Sequence, residues 1–159
     1  MRVTIIAVGQ MREKPYRAMA EEYLTRLSRF GSYQVVELPD LPEPKNASPA
    51  EEETVRRREG EAILRVLKPG QRVIALAIEG RQYASEELAA HLRELAVRGV
   101  SDIALVIGGS LGLSPAVMQR ADETLSMGKM TFPHQLARVM LLEQLYRCEK
   151  ISAGERYHK

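Results

Sequence analysis

Short apolar runs alternate with amphipathic stretches along this chain, and the alternation predicts strands and helices in turn. Residues 3–8 form a β-branched run that ends at Gly9, as a buried strand does. Residues 15–29 instead place apolar side chains at helical spacing and stop before Gly31. Strand–helix alternation predicts an α/β fold, in which a mostly parallel sheet is covered by helices on both faces.

The same pattern assigns the remaining elements. Ser48, followed by Pro49 and by Glu51, has the form of a helix cap with a capping box. The chain shows no repeat or linker, so we expect a single domain over residues 1–159. The predicted strands are 3–8, 33–38, 72–78, 102–107 and 123–125, and the predicted helices are 15–29, 48–67, 85–97, 114–121 and 134–151.

Two glycine-containing loops follow predicted strands in the last third of the chain. The first spells GGSLG from Gly108 to Gly112, and the second surrounds Gly128 before a long helix. Loops of this kind at the carboxyl edge of a sheet indicate a ligand crevice. The first loop is neither GxGxxG nor followed by GK[ST], so a dinucleotide fingerprint and a P-loop are both missing.

The amino-acid composition and the net charge limit the kinds of partner and the cellular location that this protein can have. Apolar residues make up 45% and charged residues 28%, as in an ordinary globular protein. The net charge of +2 argues against a nucleic-acid binder that acts by charge alone, but leaves open an RNA recognised by shape. The single Cys148 excludes an internal disulfide and is interpreted as a packing residue. With no apolar run of ~20 residues and no signal peptide, we expect a cytoplasmic protein without membrane contact.

The last helix is apolar in nearly every direction around its axis, from Leu136 to Cys148. A surface helix of a monomer has one apolar face, so this helix needs cover on two sides. It is either a central helix of the monomer or the interface of a homodimer, and the small number of remaining elements favours the homodimer.

Charged and ionisable residues give several candidates. His91 is interpreted as a surface residue, and His134 as either a helix cap or a pocket wall; the scattered histidines and Cys148 give no metal-ligand spacing, so no metal is expected. The run Arg56 to Arg58 lies among glutamates, including Glu59, and predicts a solvated face. The candidates for phosphate contacts are Arg12, Lys14, Lys129, Arg147, Arg156 and Lys159.

Glu143 and Arg147 are four residues apart and share a helix face. They form either an exposed ion pair or, in so apolar a helix, the lining of a cavity or interface. Tyr157 and His158 lie in a polar tail that composition alone predicts to be frayed.

Four motifs in order resemble one family over the full length of the chain. They are GGSLGL from Gly108, Leu125-Ser126 before Thr131-Phe132-Pro133-His134, Glu143 with Tyr146-Arg147, and the final Tyr157-His158. They resemble the RlmH family, the ribosomal large-subunit pseudouridine N3-methyltransferases of the SPOUT class.

The resemblance implies a homodimer in which the C-terminal part of each chain forms a trefoil knot, contrary to the general avoidance of knots. It also implies that S-adenosylmethionine (SAM) binds in the knot, and that the substrate is a pseudouridine of 23S rRNA in assembled ribosomes. Ala77 departs from the acidic residue that often follows the leucine of the third strand. The cofactor-binding residues implied are Leu76, Gly108, Met127, Gly128, Lys129, Met130, Thr131 and Phe132.

The family's active site further implies that the tail reaches across from the partner subunit. His158 is the first candidate to help remove the N3 proton, since an imidazole titrates near working pH. Tyr157 accompanies it, and Glu143 and Arg147 would position the tail or the uracil ring. Methyl transfer from SAM requires neither a metal nor a covalent nucleophile.

Two other functions are possible for an α/β chain of this kind, and the glycine-containing loops distinguish each from a methyltransferase. A ribosome-binding protein of the same fold without catalysis would have no need of intact glycine loops. A nicotinamide-dependent oxidoreductase would require GxGxxG after the first strand, where Gly9-Gln10-Met11 supplies one glycine.

Overall fold

Five strands form one sheet in the computed structural model, which describes residues 1–159. The strands are β1 (Arg2–Val8), β2 (Ser32–Leu38), β3 (Arg72–Gln82), β4 (Asp102–Ile107) and β5 (Glu123–Ser126). Their order is β2-β1-β4-β3-β5, and all neighbouring pairs are parallel. The carboxyl ends of all five strands therefore lie at one edge of the sheet.

Helices cover both faces of this sheet, as the alternation predicts. The helices are α1 (Lys14–Leu27), α2 (Pro49–Val66), α3 (Ser85–Val97), α4 (Pro115–Arg120) and α5 (His134–Ser152). Ile5 and Leu105 point into the core beneath α1, α3 and α5, whereas Ile6 and Val106 point into the core beneath α2 and α4. None of the five helices combines the length and hydrophobicity that a membrane crossing requires.

Strand β3 is longer than predicted because it contains a bulge. Leu76 and Arg81 both pair with Leu125 of β5, so residues 77–80 are looped out of the ladder. A Cβ on Gly80 would lie 2.8 Å from the carbonyl carbon of Leu125, so this close passage requires glycine. The other predicted boundaries differ from the structure by at most two residues, and the largest of these differences is at the end of α1, which is predicted at Arg29 and lies at Leu27.

The capping box of α2 is confirmed. The Ser48 hydroxyl accepts a hydrogen bond from the Glu51 backbone N–H at 3.3 Å, and the Glu51 carboxylate accepts one from the Ser48 N–H at 2.7 Å. The predicted solvated face is confirmed at Arg57, which is exposed and pairs with Glu61. It is wrong at Glu59, which is 5% exposed.

Most apolar residues of α5 are buried within one chain, because the helix lies between α1 and α3 on the sheet. The buried set includes Leu141, Leu142 and Leu145. The apolar sequence of α5 therefore does not by itself require a second chain, and the homodimer stays a prediction.

A buried arginine fixes the first turns of α5. Arg138 is 1% exposed, and it donates to the Glu37 carboxylate at 2.7 Å and to the Gly9 carbonyl at 2.8 Å. Glu37 also accepts from the Met11 N–H at 3.1 Å. Desolvation lowers the pKa of Arg138, and the carboxylate of Glu37 acts against that shift. Three separate elements, β1, β2 and α5, therefore meet at one ion pair.

We predict that Arg138→Met lowers the free energy of unfolding by about 3 kcal/mol. This is the lower end of the range for breaking a buried pair, because Glu37 keeps some contact with water. Arg57→Met is the matched control, since it removes an exposed pair worth about 1 kcal/mol or less. Urea unfolding at one protein concentration measures both, and equal losses would contradict a special role for Arg138.

Candidate functional site

An open cavity of about 790 Å³ lies at the carboxyl edge of the sheet, where β3, β4 and β5 end. We call it the first cavity. Its walls come from the β3 bulge, from both glycine loops and from the start of α5. The lining residues are Leu76, Ala77, Ile78, Ile107, Gly108, Gly109, Ser110, Leu111, Gly112, Leu113, Leu125, Met127, Gly128, Met130, Thr131, Phe132, Pro133, His134 and Ala137.

The first glycine loop folds back on itself. The Gly112 N–H donates to the Gly109 carbonyl at 3.1 Å, and Gly112 has a φ of +80°. A Cβ on Gly108 would lie 2.8 Å from the carbonyl carbon of Gly112. Any side chain at Gly108 must therefore displace the loop itself, which is why the backbone lines the cavity here.

Ser126 anchors the second loop to the β3 bulge. Its hydroxyl donates to the Ile78 carbonyl at 2.7 Å and accepts from the Gly128 N–H at 3.1 Å. Gly128 has a φ of +123°, a conformation that side chains disfavour. The bulge and the second loop thus form one connected wall.

The first cavity is nearly free of charge. Its lining contains no Lys, Arg, Asp or Glu, and His134 is its one ionisable side chain. His134 makes no cap hydrogen bond, so of its two interpretations the structure favours the pocket wall. A Cβ on Gly9 would lie 3.3 Å from Nε2 of His134, so a side chain at position 9 would crowd the imidazole ring.

The structure brings most residues predicted to bind the cofactor into this one cavity. Seven of the eight line it, and Ala77 lines it as well. Lys129 is the exception: it is exposed and not part of the lining.

The four predicted catalytic residues form a second cluster on α5 and the tail. The Glu143 carboxylate accepts hydrogen bonds from Arg147, from the Tyr157 hydroxyl at 3.2 Å and from the Gln144 amide at 2.7 Å. The Tyr157 ring packs edge-on against Tyr146, with ring centroids 4.9 Å apart. The tail is therefore docked, and the composition-based expectation of fraying is wrong.

Both ring nitrogens of His158 have partners. Nδ1 lies 3.3 Å from an Arg147 nitrogen, and Nε2 lies 2.6 Å from the Glu86 carboxylate. A guanidinium can only donate, so Nδ1 accepts and the ring proton sits on Nε2. Glu86 is a site residue that the sequence interpretation missed, since nothing local links it to the tail.

The second cluster lies apart from the first cavity within one chain. None of its four residues lines the cavity. Arg147 is ten residues beyond Ala137, the last cavity residue on α5, which is about 15 Å along a helix.

Electrostatics fix the protonation of this cluster. Desolvation, followed by the contacts with Tyr23 and Glu143, raises the pKa of Tyr157 to about 12, so its phenol is protonated at neutral pH. The hydrogen bond with Glu143 raises the pKa of Arg147. Hydrogen bonds from its own backbone N–H and from His158 lower the pKa of Glu86.

Two further candidates differ from expectation. His91 is half-buried rather than a surface residue, because it bonds to Glu123 at 2.6 Å and stacks on Tyr83 with ring centroids 5.4 Å apart. Arg147 is paired with Glu143, so it is not free for a phosphate. No group of three or more His, Cys, Asp or Glu side chains lies close enough together to hold a metal ion.

Sequence comparison identifies relatives over the full length. A family model described as "Predicted SPOUT methyltransferase" matches residues 1–158. Proteins of Bifidobacterium adolescentis and Clostridium novyi are 51% and 52% identical over 159 residues, covering 100% of both chains. Each is named Ribosomal RNA large subunit methyltransferase H.

Solved structures share the fold at low identity. A protein described as a methyltransferase from Bordetella pertussis aligns with a TM-score of 0.56 at 16% identity, over 93% of this chain and 94% of its own. One from Legionella pneumophila, solved with SAM bound, aligns with a TM-score of 0.50 at 12% identity, over 96% and 66%. At sequence identities of 16% and 12%, these structural similarities support the fold alone.

Cys148 packs beneath the cluster and is 3% exposed. Desolvation raises the pKa of its thiol to about 12, so the thiol is protonated at neutral pH. Its sulfur lies 3.8 Å from the Ser85 carbonyl, which accepts a weak hydrogen bond from it. The interpretation as a packing residue is confirmed.

We predict that a thiol-reactive dye labels native Cys148 very slowly at mildly alkaline pH and labels it at once in urea, because a buried neutral thiol is a poor nucleophile. Moving the thiol to an exposed site on the same helix end, with Cys148→Ser and Ala153→Cys, should restore fast labelling. Fast stoichiometric labelling of the native wild-type chain would show that the thiol is accessible.

Proposed function

Because this chain belongs to the SPOUT methyltransferase family, we propose that it transfers the methyl group of SAM to N3 of a pseudouridine in large-subunit 23S rRNA. Full-length relatives at 50–52% identity, each named as a methyltransferase of large-subunit ribosomal RNA, place it among the SAM-dependent rRNA methyltransferases. The observation that carries the proposal is the first cavity, whose lining is mainly glycine backbone and apolar side chains and contains no Lys, Arg, Asp or Glu.

The first cavity fits SAM. Adenine is neutral and flat, and the glycine loop at Gly108 presents backbone where a Cβ would collide. The lining has no Lys or Arg that would repel a sulfonium. We propose that the seven predicted residues found in the lining hold the cofactor, and that Lys129 contributes through its backbone.

SAM supplies an electrophilic methyl group, so the protein has to orient the acceptor nitrogen and remove its proton. Tyr157 is protonated at neutral pH and can donate a hydrogen bond, but it cannot serve as the base. His158 can accept the proton only after Nδ1 loses the hydrogen bond from Arg147. We propose that substrate binding makes this exchange, while Glu143 and Arg147 hold the tail.

We also propose that the enzyme is a homodimer with a composite active site. Within one chain none of the four residues of the second cluster lines the first cavity, so the Tyr157-His158 tail would serve the cavity of the partner. The C-terminal trefoil knot implied by the family belongs to this proposal, as does a cytoplasmic location.

Recognition of the ribosome would rest on shape more than on charge. The net charge is +2, and the lining of the first cavity contains no Lys or Arg. Lys14 and Lys129 are exposed and available for phosphates, with Arg156 and Lys159 on the tail, whereas Arg12 is exposed but pairs with Asp40 at 3.7 Å. A few contacts of this kind are insufficient for strong binding to naked RNA.

We predict that ribosomal RNA from cells lacking this gene loses one methyl group on one pseudouridine, as measured by mass mapping of rRNA fragments. The purified enzyme with SAM should restore it on assembled ribosomes much faster than on an isolated stem-loop oligonucleotide. Unchanged rRNA together with retained ribosome binding would instead indicate the non-catalytic ribosome-binding protein, and equal rates on the oligonucleotide would refute recognition by ribosome shape.

We predict that two inactive variants regain activity when mixed. Gly108→Val displaces the first glycine loop and removes cofactor binding, whereas deletion of residues 157–159 removes the tail and leaves the first cavity intact. A mixed dimer then has one intact cavity facing one intact tail. Methyl transfer to ribosomes measures the recovery, and Lys159→Ala is the control for a mild change in the tail.

Calorimetry with SAM in the presence of a chelator should show binding to the tail deletion and none to Gly108→Val. If heterodimers form and activity stays absent, the active site lies within one chain and the composite arrangement is wrong.

A further inference from the structure

A second cavity, of about 260 Å³, lies beside the first, between the end of β5 and helices α3 and α5. Leu125, Met127 and Gly128 line both cavities, so the two cavities share a wall. Neither the proposed cofactor site in the first cavity nor the proposed role of the second cluster uses this space.

The second cavity has neutral polar groups and no ionised side chain in its lining. Gln82 and Gln144 supply amides, and Tyr83 supplies a ring. The hydroxyl of Ser126 is already taken by Ile78 and Gly128. The amides are therefore the groups available to a ligand.

Gln144 is held in one orientation. Its Oε1 accepts from the Ser85 hydroxyl at 2.7 Å, and its Nε2 donates to the Glu143 carboxylate at 2.7 Å. A carboxylate can only accept, so the nitrogen must face Glu143 and the amide cannot flip. One lone pair and one N–H remain free, in a fixed order.

We infer that the second cavity is the slot for the pyrimidine ring of the target nucleotide, and that Gln144 reads the polar edge of that ring. This inference rests on the proposed function. Pseudouridine is neutral and keeps a free N1–H beside its C2 carbonyl, so an amide of fixed orientation can bind that edge and leave N3 free for the methyl group, whereas N1 of cytidine carries the ribose.

The position supports the same assignment. Methyl transfer needs the reacting atoms about 3–3.5 Å apart, so the acceptor ring has to lie directly against the cofactor cavity. The second cavity meets that requirement through its shared wall. Gln144 also connects it to Glu143, and through Glu143 to Arg147 and Tyr157.

The test is NMR on the full-length, ¹⁵N-labelled protein with S-adenosylhomocysteine bound. Pseudouridine nucleoside should shift the Gln144 side-chain amide saturably at millimolar concentration, and cytidine at the same concentration should not. A Gln144 amide that responds to S-adenosylhomocysteine and then ignores pseudouridine would assign the cavity to the amino-acid part of the cofactor, and would overturn the inference.

Kinetics on ribosomes separate a ring-binding role from a structural one. Gln144→Leu should lower kcat/KM for methyl transfer about ten- to a hundred-fold, because a polar edge is left unpaired. Its affinity for S-adenosylhomocysteine should stay unchanged. Ser85→Ala is the matched control, since it removes the Oε1 partner of Gln144 from outside the cavity.

An equal loss in Ser85→Ala would mean that Gln144 is structural, and full activity in Gln144→Leu would also reject the slot. Failure of the wild-type enzyme to methylate any rRNA would instead reject the proposed function. The two failures are therefore distinguishable.

Discussion

The buried ion pair of Arg138 with Glu37 is the constraint on which the arrangement of this molecule depends. A guanidinium that is 1% exposed is costly unless it is paired, and here its two terminal nitrogens bond to Glu37 of β2 and to Gly9 at the end of β1, while its buried Nε has no partner. Helix α5 can therefore begin in only one place. Its first turn then supplies His134 and Ala137 to the first cavity, while its later turns carry Glu143 and Arg147.

The first cavity is built mainly from backbone that approaches backbone. Glycine is required at Gly108 and Gly80 by distances of 2.8 Å from a hypothetical Cβ to a neighbouring carbonyl carbon. The β3 bulge opens the sheet edge, and the Ser126 hydroxyl joins that bulge to the second loop. Ala77 lines this cavity, and the contacts that shape the cavity at the β3 bulge and the first glycine loop come from the main chain rather than from that side chain.

Local pattern predicted the elements well and the long-range contacts poorly. The strands, the five helices and the capping box at Ser48 follow from periodicity and from turn chemistry, which act within a few residues. The β3 bulge and the bond between Glu86 and His158 depend on chain segments far apart in sequence. Burial of Glu59 had a local signal, since Val55, Glu59 and Ile63 recur at helical spacing on one buried face. The surrounding glutamates masked it.

The second cluster, which includes the tail residues Tyr157 and His158, does not line the first cavity of its own chain. Desolvation, with the Tyr23 and Glu143 contacts, raises the pKa of Tyr157 to about 12, and both His158 nitrogens are bonded, so one chain alone holds its tail in a form unready for proton transfer. Ser85, Gln144 and Glu143 form a hydrogen-bonded chain from α3 past the second cavity to that tail. Gln144 has one lone pair and one N–H free for a ring, whereas His158 is held by Arg147 and Glu86. Binding of the ring and release of His158 are therefore separate events, because in a composite site the tail has to leave Arg147 and Glu86 of its own chain before its imidazole can take a proton in the cavity of the partner.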